Sequence, residues 1–390
     1  MKILKLSWPS YGDKSIERAF GRAGINCVSV PYAYEKDEGE WDNSLEFVRK
    51  TVRQHSPDAV FMFNFSRPVA IVCRDEGVPY LSWLYDSPIY RLRSEEMTFE
   101  TNRVMLFDSW EVQEFRKMGL KNIFWLPLAS DPAAAQSVIK NYKGRSTDHK
   151  SEISFVGRFY GVRKEKERWY KNIKDLLPPF WHGYLEGLMD CQHRIYGDNI
   201  IQRCMNPDIS GVLVSILGDN PDGKYDTNEN RFANLLINME LSSRERLDYI
   251  CAVARNYPLA LYTTDDHPDI PGAEFRGTVH PDKLAPVVEN RSRINLNISL
   301  RSIKNGVPLR IFDILAAGGF MLSNYQSDID TLFNIGRDLV TFDSEEDLLK
   351  KCGYYLEHED ERREIAENGF KAVRENHTYE HRVAEMVTFL

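Results

Sequence analysis

Two pairs of residues with a fixed spacing follow an apolar run in the middle of this chain. The run 153–156 ends at Gly157-Arg158, and Arg163-Lys164 comes after four further residues. This is the pattern of a short strand that opens into a loop. Glycine there lets backbone amides approach an anion, arginine offers a planar fork of donors, and lysine adds a point charge. The four residues could therefore grip a diphosphate, although the same pattern alone also fits a solvated basic surface.

A second candidate segment, residues 305–313, reads Asn-Gly-Val-Pro-Leu-Arg-Ile-Phe-Asp. Pro308 suits the first turn of a helix, so Asn305, Gly306 and Val307 would form the loop that leads into it. The first amides of a helix have no partner within the helix and attract anions. This segment is therefore expected to contact a diphosphate as well.

Two charged residues lie further into the same predicted helix. Asp313 is placed where an acceptor-only carboxylate could hold a ribose diol. Arg310 comes three residues earlier on the same side and could pair with a phosphate or with Asp313.

Asp86 is the candidate catalytic residue. It closely follows a predicted strand over 80–84, so it should lie at the carboxyl edge of a parallel sheet, where such sheets bind ligands. The loop 8–12 after the first strand should reach the same edge. The alternative for Asp86 is a helix N-cap or turn residue before Pro88.

The first part of the chain alternates strand and helix patterns and predicts a doubly wound parallel sheet. Strands are predicted over 2–6, 26–30, 59–63, 80–84, 103–107 and 122–126, and helices over 15–23, 43–54 and 110–118. Residues 129–150 are small, polar and charged, and we interpret them as a linker.

A second β/α unit is predicted from Ile153 onward. Its first helix should start near Lys164, and Ser242 with Glu245 predicts a capping box for a helix through 255. Further strands are predicted over 259–262, 294–297 and 320–323, and helices over 281–289, 308–317 and from 344. Residues 176–240 are interpreted as a mostly helical insertion.

Composition narrows the function classes. The chain has 390 residues and a net charge of −8 without a basic tail, so nucleic acid is not expected as a partner. Its six cysteines are scattered without a C-x-x-C pair, and no run approaches 18 apolar residues. We expect a cytoplasmic protein without a transmembrane segment. No G-x-G-x-x-G or Walker motif suggests a dehydrogenase or an ATPase.

Two further motifs could suggest a metal, but neither is expected to bind one. Asp328-Ile329-Asp330 has the form of a D-x-D motif, yet it lies at a predicted helix start, which favours N-capping. His377 and His381 have the spacing of a helical metal pair but no third ligand is evident, so a surface helix is expected.

With these residues, the chain resembles the retaining glycosyltransferases of the GT-B fold. In that group a glycine-arginine, a following lysine and two acidic residues eight positions apart bind the nucleotide-sugar. The resemblance implies that Arg158 and Lys164 hold the diphosphate and Asp313 the ribose. The chain departs from the pattern at Asn305, which takes the first acidic position, at Asp313, which is not Glu, and at Glu165, where a glycine is usual.

The chain also resembles the spore-maturation CgeB-like branch of this group. The match includes the run Arg-Ile-Phe-Asp-Ile-Leu-Ala-Ala-Gly-Gly at 310–319, the run Trp-Leu-Tyr-Asp-Ser-Pro at 83–88, and His-Thr-Tyr at 377–379 with Arg382. It extends over most of the chain except 176–240.

The resemblance implies two Rossmann-like domains in tandem with an inter-domain cleft. The expected domains are 1–148 on the acceptor side, 149–374 for the nucleotide-sugar, and a C-terminal helix over 375–390 that returns to the first. The implied activity is transfer of a sugar from a nucleoside-diphosphate donor to a hydroxyl of a protein or glycan, with retention and without a metal or other cofactor. The alternatives are a catalytically silent relative that acts in binding or assembly, and a sugar-nucleotide epimerase on the same fold.

Overall fold

The computed structural model describes residues 1–8, 10–33, 41–87, 92–160, 170–220, 225–264 and 269–390. The described chain forms two compact units. Unit 1 contains residues 1–130 and the C-terminal residues 376–390, together with Tyr225 and Asp226. Unit 2 contains the rest of the described residues.

Unit 1 is built on a six-stranded sheet whose strands are all parallel, in the order β2-β1-β3-β4-β5-β6. The strands are β1 (Lys2–Ser7), β2 (Asn26–Pro31), β3 (Ala59–Phe63), β4 (Tyr80–Trp83), β5 (Asn102–Leu106) and β6 (Ile123–Trp125). Its helices are α1 (Asp13–Arg22), α2 (Trp41–His55), α3 (Arg67–Glu76), α4 (Ser109–Lys117) and α17 (Tyr379–Met386). Every strand in this unit was predicted to within two residues.

Both faces of this sheet are covered, which explains its apolar strands. Leu4 and Met62 share one core with residues of α2, α3 and α4. On the other face, Phe20 of α1 meets Phe61 edge to face at 5.4 Å, and Trp83 packs against Tyr379 at 5.9 Å. The C-terminal helix α17 is therefore part of the layer that covers this sheet.

Arg382 fastens α17 to this unit. Its Nε donates to the carbonyl of Pro127 at 2.7 Å, and its guanidinium lies 2.8 Å from Nδ1 of His377. Burial lowers the pKa of Arg382 to about 10. His377 is itself buried, so the expectation of a surface position for it is wrong.

Unit 2 is also built on six parallel strands, in the order β12-β11-β10-β7-β8-β9. The strands are β7 (Ser151–Val156), β8 (Leu259–Tyr262), β9 (Ala273–Phe275), β10 (Ser292–Asn297), β11 (Met321–Asn324) and β12 (Val340–Phe342). The helices around the sheet are α5 (Pro132–Asn141), α11 (Asn238–Asn256), α12 (Ala285–Arg291), α13 (Leu309–Ala316), α14 (Ile329–Leu332), α15 (Glu345–Glu357) and α16 (Glu359–Asn376). The fold class of two Rossmann-like domains in tandem is thus confirmed.

A helical subdomain with its own core lies between β7 and α11 in sequence. It consists of α6 (Tyr170–Ile173), α7 (Pro179–His193), α8 (Ile200–Cys204), α9 (Pro207–Leu217), α10 (Asn228–Phe232) and a π-helical turn over Ala233–Ile237. The predicted start of a helix near Lys164 lies outside the described residues.

Two local predictions are wrong. The segment interpreted as a linker contains α5, because Asp131 caps the amide of Ala134 at 2.9 Å and Pro132 with three alanines then favours helix. Ser242 does not start a helix but lies inside α11. Its Oγ donates to the carbonyl of Asn238 and accepts from the amide of Arg301, so its hydroxyl is not a cap.

Gly12 ends the loop between β1 and α1 and packs directly against α17. Its φ is +82°, and a Cβ there would lie 2.1 Å from the hydroxyl oxygen of Tyr379. Gly24 also has a positive φ, +71°, but no atom lies within 4 Å of its Cβ position. Alanine substitutions at the two glycines therefore separate the effect of backbone strain, which both share, from that of steric overlap, which only Gly12 has.

We predict that Gly12→Ala lowers the free energy of unfolding by about 2–4 kcal/mol, because it adds overlap with Tyr379 to the strain of a left-handed backbone. Gly24→Ala should lose only about 1 kcal/mol. Urea denaturation of both variants beside the parent protein measures this. If both variants lose the same free energy of unfolding, the overlap with Tyr379 of α17 does not contribute to the loss.

Candidate functional site

The strand order of unit 2 places a topological switch point between β7 and β10. Counted along the chain within the unit, the order is 3-2-1-4-5-6, with β7 as strand 1 and β10 as strand 4. Successive strands run outward from β7 on one side and from β10 on the other. Open parallel sheets bind ligands at the carboxyl edge of such a point. The loops that leave β7 and β10 are therefore the candidate site.

Gly157 ends β7 at this edge. Its amide continues the ladder by donating to the carbonyl of Tyr262 at 3.0 Å. A Cβ at Gly157 would lie 2.8 Å from the ring of Phe155, so a larger residue there would have to displace that ring. Arg158 follows with an exposed side chain. The other two predicted phosphate residues, Arg163 and Lys164, lie outside the described residues.

Arg246 of α11 joins the two loops at the switch point. Its buried guanidinium donates to the carbonyl of Arg158, after β7, and from Nε to the carbonyl of Ile298, after β10, at 3.0 Å. It also lies 4.9 Å from the centre of the Tyr160 ring. Because one planar group holds both carbonyls, the two loops are fixed relative to each other.

The sequence did not single out Arg246. It lies in the run Ser-Ser-Arg-Glu-Arg at 242–246, which has the composition of a solvated helix face. The only signal was its position four residues after Ser242, on the side of α11 that turned out to be buried.

The loop from β10 to α13 is held by two buried cations. Arg301 pairs with Glu245 at 2.6 Å and donates to the carbonyl of Ile195 at 2.7 Å. Lys304 donates to Oδ1 of Asn234 at 2.7 Å. These contacts tie the loop to α11 and to the helical subdomain, which therefore supports the candidate site from behind.

The predicted second segment lies on this loop and the first turn of α13. Asn305 is half-buried, and its carbonyl accepts from the amide of Asp328 at 3.0 Å. Gly306 and Val307 are buried, and Pro308 takes the N-cap position, so the helix begins at Leu309. The structure thus brings Asn305, Gly306 and Val307 to the same sheet edge as Gly157 and Arg158.

Arg310 has a partner that the sequence did not predict. Its Nη1 donates to Oε1 of Glu289 in α12 at 3.0 Å. Glu289 is 1 % exposed; burial raises its pKa and the charge of Arg310 opposes this. Arg310 remains 29 % exposed. Asp313, one turn after Leu309, is half-buried.

Unit 1 has its own topological switch point, between β1 and β3, because β2 lies on one side of β1 and the later strands follow from β3 on the other. Asn64 follows β3 at its carboxyl edge and is buried with a left-handed φ of +60°. Its Oδ1 accepts from the amide of Tyr85 at 3.2 Å and its Nδ2 donates to Oδ2 of Asp86 at 2.8 Å. Non-glycine residues with such a backbone concentrate at functional sites. Sequence analysis missed Asn64 because nothing local distinguishes an asparagine after a strand from an ordinary turn residue.

Asp86 is exposed at this edge, yet protein atoms surround much of its carboxylate. This desolvation raises the pKa of Asp86, and the hydrogen bond from Asn64 opposes the rise. Trp8, the first residue of the loop after β1, stacks on Tyr85 with ring centres 6.0 Å apart and donates to the carbonyl of Phe63 at 3.0 Å. The amide of Asn64 therefore orients the predicted catalytic carboxylate, and the stacked pair Trp8–Tyr85 directly precedes it at the same edge.

The two aspartates of the D-x-D motif lie at the start of α14, as the sequence predicts. Asp328 takes the N-cap position of α14 without a capping bond from its side chain, and Asp330 accepts from the hydroxyl of Tyr325 at 2.7 Å. In the described part of the chain, no three His, Cys, Asp or Glu side chains form a group suited to a metal ion. None of the described helices is long and apolar enough to cross a membrane.

Comparison with protein families gives one match, which spans residues 244–388 and is described as glycosyl transferase-like. This stretch is less than half of the chain and lies mainly in unit 2. No curated protein matches the chain.

Solved structures with the same overall fold include three that bear on the site. HepE of Anabaena, in complex with UDP and glucose, has 10% identity and a TM-score of 0.50 over 100% of both chains. Sucrose-phosphate synthase of Thermosynechococcus elongatus has 11% identity and a TM-score of 0.51 over 100% of this chain and 98% of its own. UDP-GlcNAc 2-epimerase of Neisseria meningitidis, bound to UDP-GlcNAc, has 8% identity and a TM-score of 0.52 over 100% and 99%. At these identities the likeness shows the fold, which is that of GT-B glycosyltransferases.

We predict that Asn64→Gly raises the pKa of Asp86, so that its carboxyl group stays protonated to a higher pH. Glycine accepts the left-handed backbone but removes the donor that favours the charged form. Asn64→Asp should raise the pKa further, because it places a like charge beside Asp86. Carbon-detected NMR titration of the Asp86 carboxyl group measures both shifts, and an unchanged or lowered pKa in either variant would contradict the proposed contact.

Proposed function

We propose that this protein is a glycosyltransferase that moves a sugar from a nucleoside-diphosphate donor to a hydroxyl group of a protein or glycan acceptor. One observation carries the proposal. The two segments whose residue types suit a diphosphate leave adjacent strands at the switch point of unit 2, and a single arginine holds both. The family match to glycosyl transferase-like proteins falls mainly on this unit and supports the same reaction class.

In this proposal the donor diphosphate binds between the two loops. Arg158 supplies a fork of donors, Lys164 a point charge, and the amides around Gly306 and Leu309 the positive end of α13. Asp313, one turn into α13, accepts hydrogen bonds from the ribose diol. Asn305 takes the place of an acidic sugar contact and presents a neutral amide to the donor sugar.

Stabilisation of the leaving diphosphate then supplies most of the rate enhancement. The cations and helix amides oppose the negative charge that develops as the glycosidic bond breaks, so the proposal needs no divalent metal. Retention of the anomeric configuration follows from the resemblance of the phosphate-binding residues to those of retaining enzymes.

UDP-sugars are the first donors to test, because two of the structures with this fold hold UDP or a UDP-sugar. An epimerase shares the fold, so product analysis has to separate the two reactions. A transferred sugar supports our proposal, and an epimerised sugar nucleotide without transfer contradicts it. Nucleotide binding without either product would indicate a binding protein.

We predict that Arg158→Ala weakens the binding of UDP, or of the base that the parent protein prefers, by tens of fold, and that Lys164→Ala acts in the same direction. A charge-assisted hydrogen bond to phosphate contributes about 1.5–3 kcal/mol. The matched control is Arg255→Ala, which removes one exposed cation from α11 of the same unit. Calorimetry with UDP, GDP, dTDP and ADP decides. If Arg158→Ala and Lys164→Ala both bind like the control, the diphosphate site is wrongly assigned.

We predict that Asp86→Asn lowers turnover by about 10²–10⁴-fold while affinity for the nucleoside diphosphate stays nearly constant. In the proposal Asp86 orients the acceptor hydroxyl and takes its proton, and its raised pKa makes it a better base than an ordinary aspartate. Turnover of the parent protein should persist in excess EDTA.

The control is Asp58→Asn, which changes an exposed carboxylate at the amino end of β3, where it accepts from the amide of Lys2 at 2.7 Å. Melting temperature and turnover are measured on the same preparations. A destabilised Asp86→Asn protein with full turnover per folded molecule would make Asp86 a structural turn residue.

A further inference from the structure

A pocket lies at the edge of the unit 2 sheet that is opposite to the candidate functional site. Four of its lining residues lie where strands start. Ser151 and Ser292 begin β7 and β10, and Pro258 and Phe320 directly precede β8 and β11. These strands are parallel and adjacent, so the pocket lies under their amino ends. At ~3.3 Å per residue, a six-residue strand such as β7 separates it from the candidate nucleotide site by about 20 Å. We call it the amino-edge groove.

One face of α16 forms a wall of the amino-edge groove. The lining residues Glu359, Arg362, Arg363, Ala366, Glu367 and Phe370 recur at the spacing of a helix face. The groove has a volume of about 880 Å³ and is lined by six cationic side chains against three acidic ones. The lining of the groove therefore carries a net positive charge, although the whole protein has a net charge of −8.

Most of the lining cations already have partners. Arg293 pairs with Glu152 at 2.6 Å, and Arg363 pairs with Glu359. Arg276 pairs with Glu274 at 2.7 Å, and Arg291 donates to the carbonyls of Arg145 and Asp148. These four arginines are therefore largely satisfied by the fold.

Arg362 is different. It is 7 % exposed, and within the described ranges its guanidinium makes one hydrogen bond, from Nη1 to the carbonyl of Arg293 at 2.9 Å. Its Nε is buried without an acceptor there. Burial and then the charge of Arg293 lower the pKa of Arg362. A guanidinium has five N–H donors, and a buried donor without an acceptor lowers the stability of the folded protein.

We propose that the amino-edge groove binds a phosphate monoester dianion or inorganic phosphate, with Arg362 as its central ligand. A phosphate in the groove supplies a further acceptor to the guanidinium of Arg362 and offsets the repulsion between Arg362 and Arg293. This site is independent of the nucleotide site at the other edge of the sheet.

The test compares three variants of the full chain by calorimetry with inorganic phosphate against chloride at matched ionic strength. Arg362→Gln should weaken phosphate binding at least about tenfold, and Arg363→Ala, which removes an exposed side chain from the same wall, severalfold. The matched control is Arg374→Ala, an exposed arginine of α16 outside the groove, which should bind like the parent protein. Any phosphate that binds at the carboxyl edge binds equally to all variants, because none of them changes that edge. Differences in phosphate affinity between variants therefore report on the amino-edge groove.

Melting temperatures show whether Arg362→Gln still folds; if it does not, Arg363→Ala alone decides. Parent-like phosphate binding in both groove variants, or no phosphate binding by the parent protein, overturns the proposal. Flotation with phosphatidylcholine vesicles that contain phosphatidic acid identifies the source of the phosphate. Flotation that Arg362→Gln abolishes assigns a lipid headgroup, and binding of free phosphate without flotation assigns a small phosphomonoester.

Discussion

The contact of Arg246 with two backbone carbonyls is the constraint on which the candidate nucleotide site depends. Carbonyls that leave a parallel sheet at its carboxyl edge have lost their ladder partners and need new donors. Arg246 supplies them to Arg158 and Ile298 from one rigid plane. The geometry of the β7 loop and of the β10 loop is therefore set by the same side chain, which itself is fixed by its place in α11. An anion that binds between these loops meets a preorganised site, since the cost of ordering them was met during folding.

The same reasoning applies to unit 1, where an amide takes the place of the guanidinium. Asn64 ends its strand in a left-handed backbone and joins the amide of Tyr85 to the carboxylate of Asp86. The backbone strain is maintained by three further contacts: the amide of Asn64 donates to the carbonyl of Trp83, and its own carbonyl accepts from Ser82 and Tyr80. Such a network holds the carboxylate in place, and among the described residues no cation pairs with it, so desolvation still raises its pKa.

The sequence predicted the sheets well because their strands are buried on both faces and read as continuous apolar runs, as in 59–63. It also placed Gly157 and the Asn305 loop at one edge, since strand ends follow from strand positions. It missed β9 and β12, whose three residues include a polar one (Ala-Glu-Phe and Val-Thr-Phe), whereas the equally short β6 lies in the apolar run 123–126. It misread Ser242 because a capping pattern also occurs inside a helix when the preceding turn is already helical. The partners of Arg246, Arg301 and Arg310 lie far away in the chain, and no local pattern predicts contacts of that kind.

The fold does not by itself choose between sugar transfer and epimerisation, since both reactions begin with the same bound diphosphate. The choice depends on what surrounds the sugar as its bond to the diphosphate weakens. A transferase needs a second substrate whose hydroxyl loses its proton, and a carboxylate with a raised pKa can assist that step. Asp86 has this property through desolvation. In the proposal, the neutral Asn305 takes a position where an acidic residue is usual in the enzymes that this chain resembles, and so removes one negative charge from the donor side. Because Asn305 cannot act as a base, the proposal assigns the proton transfer to unit 1 and leaves the donor loops of unit 2 to bind the diphosphate.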